Sequence, residues 1–152
     1  MRLRILLKYL CVLAALVGPL AAVPSAQDVG SRVRLVNVHQ GVMLVNIARE
    51  HREQVDHKPD CSHLVHHIYE LSGFPYPYAS SLDLYEGIDD FRRVPTPHPG
   101  DLVVWRGHVG IVISPAKHTF YSSVSSGLRT EYYDGPYWRT LGHPRFYRYV
   151  LS

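Results

Sequence analysis

The stretch that decides the fold spans residues 59–71 and reads PDCSHLVHHIYEL. The proline ends whatever precedes it, and the carboxylate of Asp60 can accept the free backbone N–H groups of a first helical turn. A Ser-Gly pair at residues 72–73 then ends the helix. The sequence therefore predicts a helix that begins at Cys61 and ends at Leu71.

At 100° per residue, this helix has an apolar face and a polar face. The apolar face carries Cys61, Leu64, Val65, Ile68 and Leu71. The polar face carries His63, His66, His67 and Glu70. The spacing of the polar set is compatible with a metal ion, but a face opposite the apolar one is typical of a solvated surface. We therefore expect no metal and no cofactor, and we expect Cys61 to face the rest of the fold.

Outside this helix, the chain changes from helical patterns to strand patterns. Residues 39–56 carry helix formers and predict one helix, whereas residues 72–100 are rich in Pro, Tyr, Gly and Asp and predict irregular surface structure. Strand patterns occupy residues 102–105, 108–113, 119–124, 128–133 and 145–151. Helices followed by strands with tight turns indicate an α+β fold, with helices packed on an antiparallel sheet.

The N-terminal region has the pattern of a secretory signal peptide. A basic start containing Arg2, Arg4 and Lys8 precedes an apolar run from Tyr9 to Val23, which is shorter than the roughly 20 residues of a membrane span. We expect a signal peptide at residues 1–26, a leader at residues 27–40 and one domain at residues 41–152. The mature protein would then be secreted or periplasmic, in the cell envelope, without stable membrane insertion.

Removal of that segment changes the charge of the chain. The full sequence has 16 Lys and Arg against 13 Asp and Glu, a formal charge of +3. Loss of the three basic residues near the N-terminus makes the two counts equal. A neutral chain lacks the basic surplus that phosphate binding needs, which argues against nucleic acid as a partner.

The cysteine count singles out Cys61. Of the two cysteines, Cys11 lies in the predicted signal peptide, so the mature protein holds one thiol without an internal disulfide partner. Such a thiol is a reactive group, an intermolecular partner or a small buried hydrophobe. A helix N-terminus and a neighbouring imidazolium both lower the pKa of a thiol. The first feature predicts a reactive thiolate at Cys61, and His108 at the start of a strand is the candidate for the second.

Several other side chains are assigned structural positions. We interpret Trp105 and Trp138 as core residues, and Asp101 as the residue that fixes the start of a strand. The tyrosines of the second half either line a groove for sugar or peptide or pack in the core.

Two motifs together resemble the NlpC/p60 cell-wall peptidases. The first is DCSHLV at residues 60–65, and the second comprises PGDLVVW at residues 99–105 and HVGIVI at residues 108–113. The resemblance covers residues 41–152 and implies a small papain-like α+β domain in which the cysteine helix packs on an antiparallel sheet. The sequence departs from the family at His63, where Gly is usual, and upstream of the first motif, where a Tyr and a Gly-Gly pair are missing.

By this resemblance the protein is an exported cysteine hydrolase that cleaves peptidoglycan stem peptides, with Cys61 as nucleophile and His108 as base. The residue that orients the histidine falls at Ser122, with His118 in the preceding loop as the alternative. Strand alternation puts Ser122 and Ser123 on opposite faces, so only one of the two faces His108. The implied activity is that of a γ-D-glutamyl endopeptidase, with an amidase of the same fold or a catalytically silent wall-binding module as alternatives. We expect a monomer.

Overall fold

The computed structural model describes residues 33–51 and 59–152. The predicted signal peptide, residues 1–26, lies outside the described residues. From Val33 to Ser152 the chain forms one structural unit. Within the described residues, no helix is both long enough and apolar enough to cross a membrane.

A short strand, β1 (Arg34–Leu35), comes first and pairs with the last strand of the sheet. The next residue, Val36, is buried, and its N–H donates to the carbonyl of Tyr149. These residues fall in the predicted leader, residues 27–40. The last part of the predicted leader is therefore hydrogen-bonded to the sheet.

Two helices follow β1. α1 (Val38–His51) begins one residue before the predicted helix, whose predicted end falls in residues 52–58, outside the described residues. α2 (Cys61–Leu71) has the predicted bounds, and Asp60 caps it by accepting two N–H groups of the first turn. Leu71, the last residue of the apolar face, stands at the end of the helix and is 53% exposed.

Residues 72–100 are more regular than the sequence predicts. They contain α3 (Ser81–Glu86) and β2 (Phe91–Val94), so the prediction of irregular structure is wrong for these two segments. A capping box between Ser80 and Asp83 starts α3, and Leu84 anchors it in the core. Helices of this length depend on packing rather than on their own propensity.

The second half forms an antiparallel sheet on which the helices pack, and this confirms the α+β class. Its strands are β3 (Leu102–Trp105), β4 (His108–Ser114), β5 (Thr119–Val124), β6 (Gly127–Tyr132) and β7 (Arg145–Leu151). Each predicted strand is found within one residue of its predicted ends. The order across the sheet is β1-β7-β3-β4-β5-β6, and β2 also pairs with β7.

The sheet carries core residues on both faces. α2 packs on one face, where Leu64 and Val104 belong to the same buried cluster. Trp105 and Trp138 belong to a second buried cluster, on the other face because side chains alternate along a strand. Trp138 comes from α4 (Pro136–Thr140), a helix that the sequence does not predict. The expectation that both tryptophans are core residues is confirmed.

Asp101 fixes the start of β3 through a buried ion pair. Its carboxylate accepts two hydrogen bonds of 2.9 and 2.8 Å from the guanidinium of Arg148 and one of 2.7 Å from the N–H of His98. The structural assignment of Asp101 agrees with these contacts, and none of them reaches the residues described below as the candidate site.

Two glycines let α1 approach the turn before β3. A Cβ on Gly41 would overlap the carbonyl oxygen of Pro99, and a Cβ on Gly100 would lie 2.7 Å from the Cα of Gly41. Gly100 also has a φ of 85°, which favours glycine. The close packing of α1 on this turn therefore requires both residues.

We expect Gly41→Ala to lower the free energy of unfolding by about 1–3 kcal/mol, because backbone must move to admit the methyl group. Denaturant unfolding of the folded chain measures this change. Met43→Ala in the same helix is the control, since Met43 is 53% exposed and a surface change costs within about 0.5 kcal/mol. Equal stability of the two variants would contradict the close contact.

Candidate active site

A cavity of about 710 Å³ lies beside the N-terminus of α2. Cys61, the first residue of α2, and His108, the first residue of β4, both line it. The turn between β5 and β6 and the start of α4 supply further lining residues. The cavity therefore joins a thiol and an imidazole that are 47 positions apart in the sequence.

The backbone of Val109 connects three side chains of the site. A hydrogen bond from its backbone acts to lower the pKa of the Cys61 thiol, against the effect of burial. Its carbonyl accepts a hydrogen bond of 2.7 Å from the hydroxyl of Ser122. Because Val109 directly follows His108, this one residue holds the cysteine helix and β5 against the strand that carries the imidazole. No sequence motif points to Val109, because a contact made by the backbone does not depend on the type of side chain.

Ser122 lies 2.9 Å from His108, measured from Oγ to Nε2. The hydroxyl has one hydrogen, and it donates that hydrogen to the Val109 carbonyl. It must therefore accept a hydrogen bond from Nε2–H of His108. In this tautomer the neutral imidazole keeps its lone pair on Nδ1, the nitrogen that is free to take a proton.

His118, the alternative to Ser122, and the neighbouring Ser123 both form hydrogen bonds elsewhere. The hydroxyl of Ser123 donates to the carbonyl of Pro59 at 2.6 Å, at the start of the α2 cap. His118 has a φ of 55° and pairs with Asp134, with 2.7 Å between Nδ1 and Oδ2. The geometry thus brings Ser122, and neither Ser123 nor His118, to the imidazole of His108.

Asp60, which lines the cavity, accepts several hydrogen bonds. One carboxylate oxygen accepts the hydroxyl of Ser62 at 2.8 Å, and the other lies 2.7 Å from Nδ1 of His63. The ring of Tyr78 stacks on His63 at 4.4 Å, and its hydroxyl lies 3.1 Å from that of Ser62. Although partial burial acts to raise it, the hydrogen bonds from His63 and Ser62 lower the pKa of Asp60 to about 2. Asp60 is therefore a carboxylate at any physiological pH.

Burial acts against both charges of a thiolate–imidazolium pair. It raises the pKa of the Cys61 thiol, and the Asp60 carboxylate acts in the same direction against the backbone N–H groups of Val109, Ser62 and Cys61. Burial also lowers the pKa of His108 to about 4. The sequence predicts a thiolate from the helix N-terminus, but here burial outweighs that effect. Both shifts favour a neutral thiol and a neutral imidazole at neutral pH.

The cavity has an acidic character. Asp60 and Glu131 line it, and none of its described lining residues is Lys or Arg. Two exposed tyrosines, Tyr132 and Tyr137, also line the cavity, whereas Tyr121 and Tyr147 pack in the core. Within residues 33–51 and 59–152, no group of three His, Cys, Asp or Glu side chains is arranged to hold a metal ion.

The resting protonation state predicts the pH dependence of thiol alkylation. We expect the rate of Cys61 alkylation by iodoacetamide to rise with a midpoint above the ordinary thiol value of about 8.5, without a plateau at lower pH. The rate is measured between pH 4 and 10 by mass spectrometry, with Cys61→Ser as the background. Rapid labelling at pH 6 that disappears in His108→Gln would instead show a thiolate–imidazolium pair at rest.

Comparison with known proteins places this chain in a family. The family model named NlpC/P60 matches residues 46–143. A solved structure from Staphylococcus aureus subsp. aureus Mu50, described as similar to a lipoprotein of the NLP/P60 family, matches with a TM-score of 0.59 and 16% identity. The match covers 80% of this chain and 45% of that one, so the chain spans less than half of that structure. No curated protein is significantly similar in sequence. Since the family model matches more than half of the chain, this protein belongs to the NlpC/P60 family.

Proposed function

We propose that this protein is a cysteine peptidase that cleaves peptidoglycan stem peptides after γ-D-glutamyl. Members of the NlpC/P60 family are in general cell-wall peptidases and hydrolases of the cysteine type. The observation that supports the finer proposal is the position of Cys61 and His108 in one cavity, with Ser122 hydrogen-bonded to the imidazole.

The proposed reaction starts from the neutral pair. As the sulfur of Cys61 attacks the peptide carbonyl carbon, Nδ1 of His108 takes the thiol proton. The proton then passes from Nδ1 to the nitrogen of the leaving amine as the C–N bond breaks, which leaves a thioester on Cys61. Water then attacks the thioester carbon and gives one proton to Nδ1. As the C–S bond breaks, the acid leaves and Nδ1 returns this proton to the sulfur, which restores the thiol and the neutral imidazole. The Nε2–H bond to Ser122 keeps the imidazole in the required tautomer throughout.

The start of α2 is suited to stabilise the charge on the attacked carbonyl oxygen. The backbone N–H of Cys61 lies in the first turn, where N–H groups have no intrahelical acceptor. The N–H groups of Ser62 and His63 are already bound by Asp60. We therefore assign the oxyanion contact to the N–H of Cys61.

The charge of the cavity favours a substrate that carries an ammonium group. Asp60 and Glu131 are carboxylates that no described Lys or Arg of the lining offsets, so the cavity attracts cations. His108 adds no positive charge at neutral pH, because its pKa is lowered to about 4 by burial. Peptides with free protonated amines meet this requirement, whereas an anionic polymer does not.

The proposed export of the protein rests on the sequence alone. Residues 1–26 have the basic start and short apolar run of a signal peptide. We propose that this segment is removed and that the folded domain acts in the cell envelope.

Digestion of purified peptidoglycan tests the cleavage directly. We expect mass spectrometry to show fragments cut after D-glutamyl, and we expect Cys61→Ala to release none of them. The loss follows because no other described thiol is present and a hydroxyl or methyl group is not a nucleophile here. Cys61→Ala and the wild-type protein should unfold at the same denaturant concentration, since the change removes one sulfur atom at a helix start.

Other digestion products lead to other conclusions. Release of intact stem peptides from the glycan would identify an amidase and refute the γ-D-glutamyl endopeptidase. Binding to peptidoglycan without any fragments would identify a silent wall-binding module. Full activity in Cys61→Ala would exclude the thiol mechanism.

Ser122→Ala tests the orienting contact. We expect kcat to fall by about tenfold, or about 1.4 kcal/mol, because serine is a neutral partner and stabilises no imidazolium charge. His118→Ala removes a pair with Asp134 instead and should leave kcat unchanged, and Ser123→Ala should cost less than Ser122→Ala. All three variants are compared on one synthetic stem peptide. A larger loss in His118→Ala than in both serine variants would assign the orienting contact to His118.

A further inference from the structure

The short helix α4 places an indole on the imidazole of His108. The ring centroids of Trp138 and His108 lie 4.7 Å apart, with the planes inclined by 42°. Trp138 is 4% exposed, although its neighbour Tyr137 is 66% exposed. Trp138 is therefore the residue through which α4 contacts the candidate base.

An aromatic cluster fixes the position of this indole. Trp138 lies 4.7 Å from the ring of Trp105 and 4.9 Å from the ring of Phe120, and both of these residues are fully buried. The indole N–H of Trp105 in turn donates to the carbonyl of Gly142 at 3.2 Å, just after α4. The contact between Trp138 and His108 is thus held from the strands and from the segment that follows the helix.

We propose that Trp138 is a positioning residue that covers one face of the His108 imidazole and keeps water from its hydrogen bond with Ser122. Two physical effects support this assignment. The ring contact restricts rotation of the imidazole, so Nε2 stays on Ser122 and the lone pair stays on Nδ1. The indole also contributes to the burial of His108, and burial is what lowers the pKa of this histidine to about 4.

No charged group near His108 explains the lowered pKa of this histidine. The other ionisable residues that line the cavity are Asp60, Cys61, Glu131, Tyr132 and Tyr137. Asp60 and Glu131 are negative and would raise the pKa of a nearby imidazole rather than lower it. Ser122 on β5 does not ionise, so burial remains the cause.

The test is a nuclear magnetic resonance titration of the His108 ring signals, assigned with the His108→Gln variant. In Trp138→Leu we expect the pKa of His108 to rise by about one unit or more toward 6.5, because water reaches the imidazole. In Trp138→Phe, which keeps a smaller aromatic cover, the rise should be smaller but still measurable. Thr140→Ala removes a hydrogen bond within α4, to the carbonyl of Tyr137, and is the control that should not move the titration.

Peptide hydrolysis supplies a second readout, which rests on the proposed function. We expect Trp138→Leu to lower kcat by about tenfold or more with little change in KM, and Trp138→Phe to recover most of the loss. A folded Trp138→Leu with an unchanged His108 titration would overturn the proposal, as would an equal shift in Thr140→Ala. If Trp138→Leu does not fold, a Trp138→Phe titration identical to that of the wild type overturns it.

The proposed peptidase function and the proposed role of Trp138 can be refuted independently of each other. A wild-type protein that hydrolyses no stem peptide refutes the proposed function, but the His108 titration is still measured in the same protein. A shifted titration in the Trp138 variants then still supports the positioning contact.

Discussion

The candidate site depends on the backbone of Val109. Its backbone acts by hydrogen bonding on the Cys61 thiol, and its carbonyl accepts the hydroxyl of Ser122. These two groups belong to the same residue in a buried strand, so the positions of the cysteine helix and of β5 relative to His108 are set together. A strand is well suited to this task, because its alternating geometry fixes which side chains and which backbone groups meet. Preorganisation of this kind keeps reacting groups in place before the substrate arrives.

Much of this arrangement follows from local sequence signals. The sequence predicts the Asp60 cap, the bounds of α2 and the alternation of the strands, because each of these features depends on a few adjacent residues. Strand alternation places Ser122 and Ser123 on opposite faces of β5. In the structure Ser122 is hydrogen-bonded to His108, and Ser123 is hydrogen-bonded to the carbonyl of Pro59. Spacing alone does not identify which of the ten histidines acts with the thiol. The family resemblance assigns this role to His108. The family model bears out the resemblance itself and leaves the residue assignments as proposals.

The sequence did not predict the two short helices, α3 and α4, or the burial of the ionisable groups of the site. α3 and α4 span six and five residues, too few to form without packing, although a capping box and a Gly-Pro pair mark their starts. The directions of the pKa shifts of Cys61 and His108 could not be predicted from the sequence either. A helix N-terminus suggests a thiolate, but the pKa of Cys61 depends on how deeply the thiol is buried, and that is a property of the assembled core. The contacts that Val109 and Trp138 make at the site were not predicted for a similar reason, because Val109 acts through its backbone and Trp138 through a ring contact with a residue distant in sequence.

A serine beside the imidazole is consistent with the burial of the site. A carboxylate at residue 122 would be fully enclosed, and an enclosed charge is costly unless it is paired. Such a charge would also raise the pKa of His108 and favour the imidazolium at rest. A hydroxyl fixes the tautomer without either effect, so the resting pair stays uncharged. In the proposed reaction charge develops only as the thiol attacks, beside the backbone N–H of Cys61 at the start of α2, to which we assign the oxyanion contact. The aromatic cover from Trp138 and the neutral hydrogen bond from Ser122 therefore act in the same direction, since both favour an imidazole that is neutral until the reaction begins.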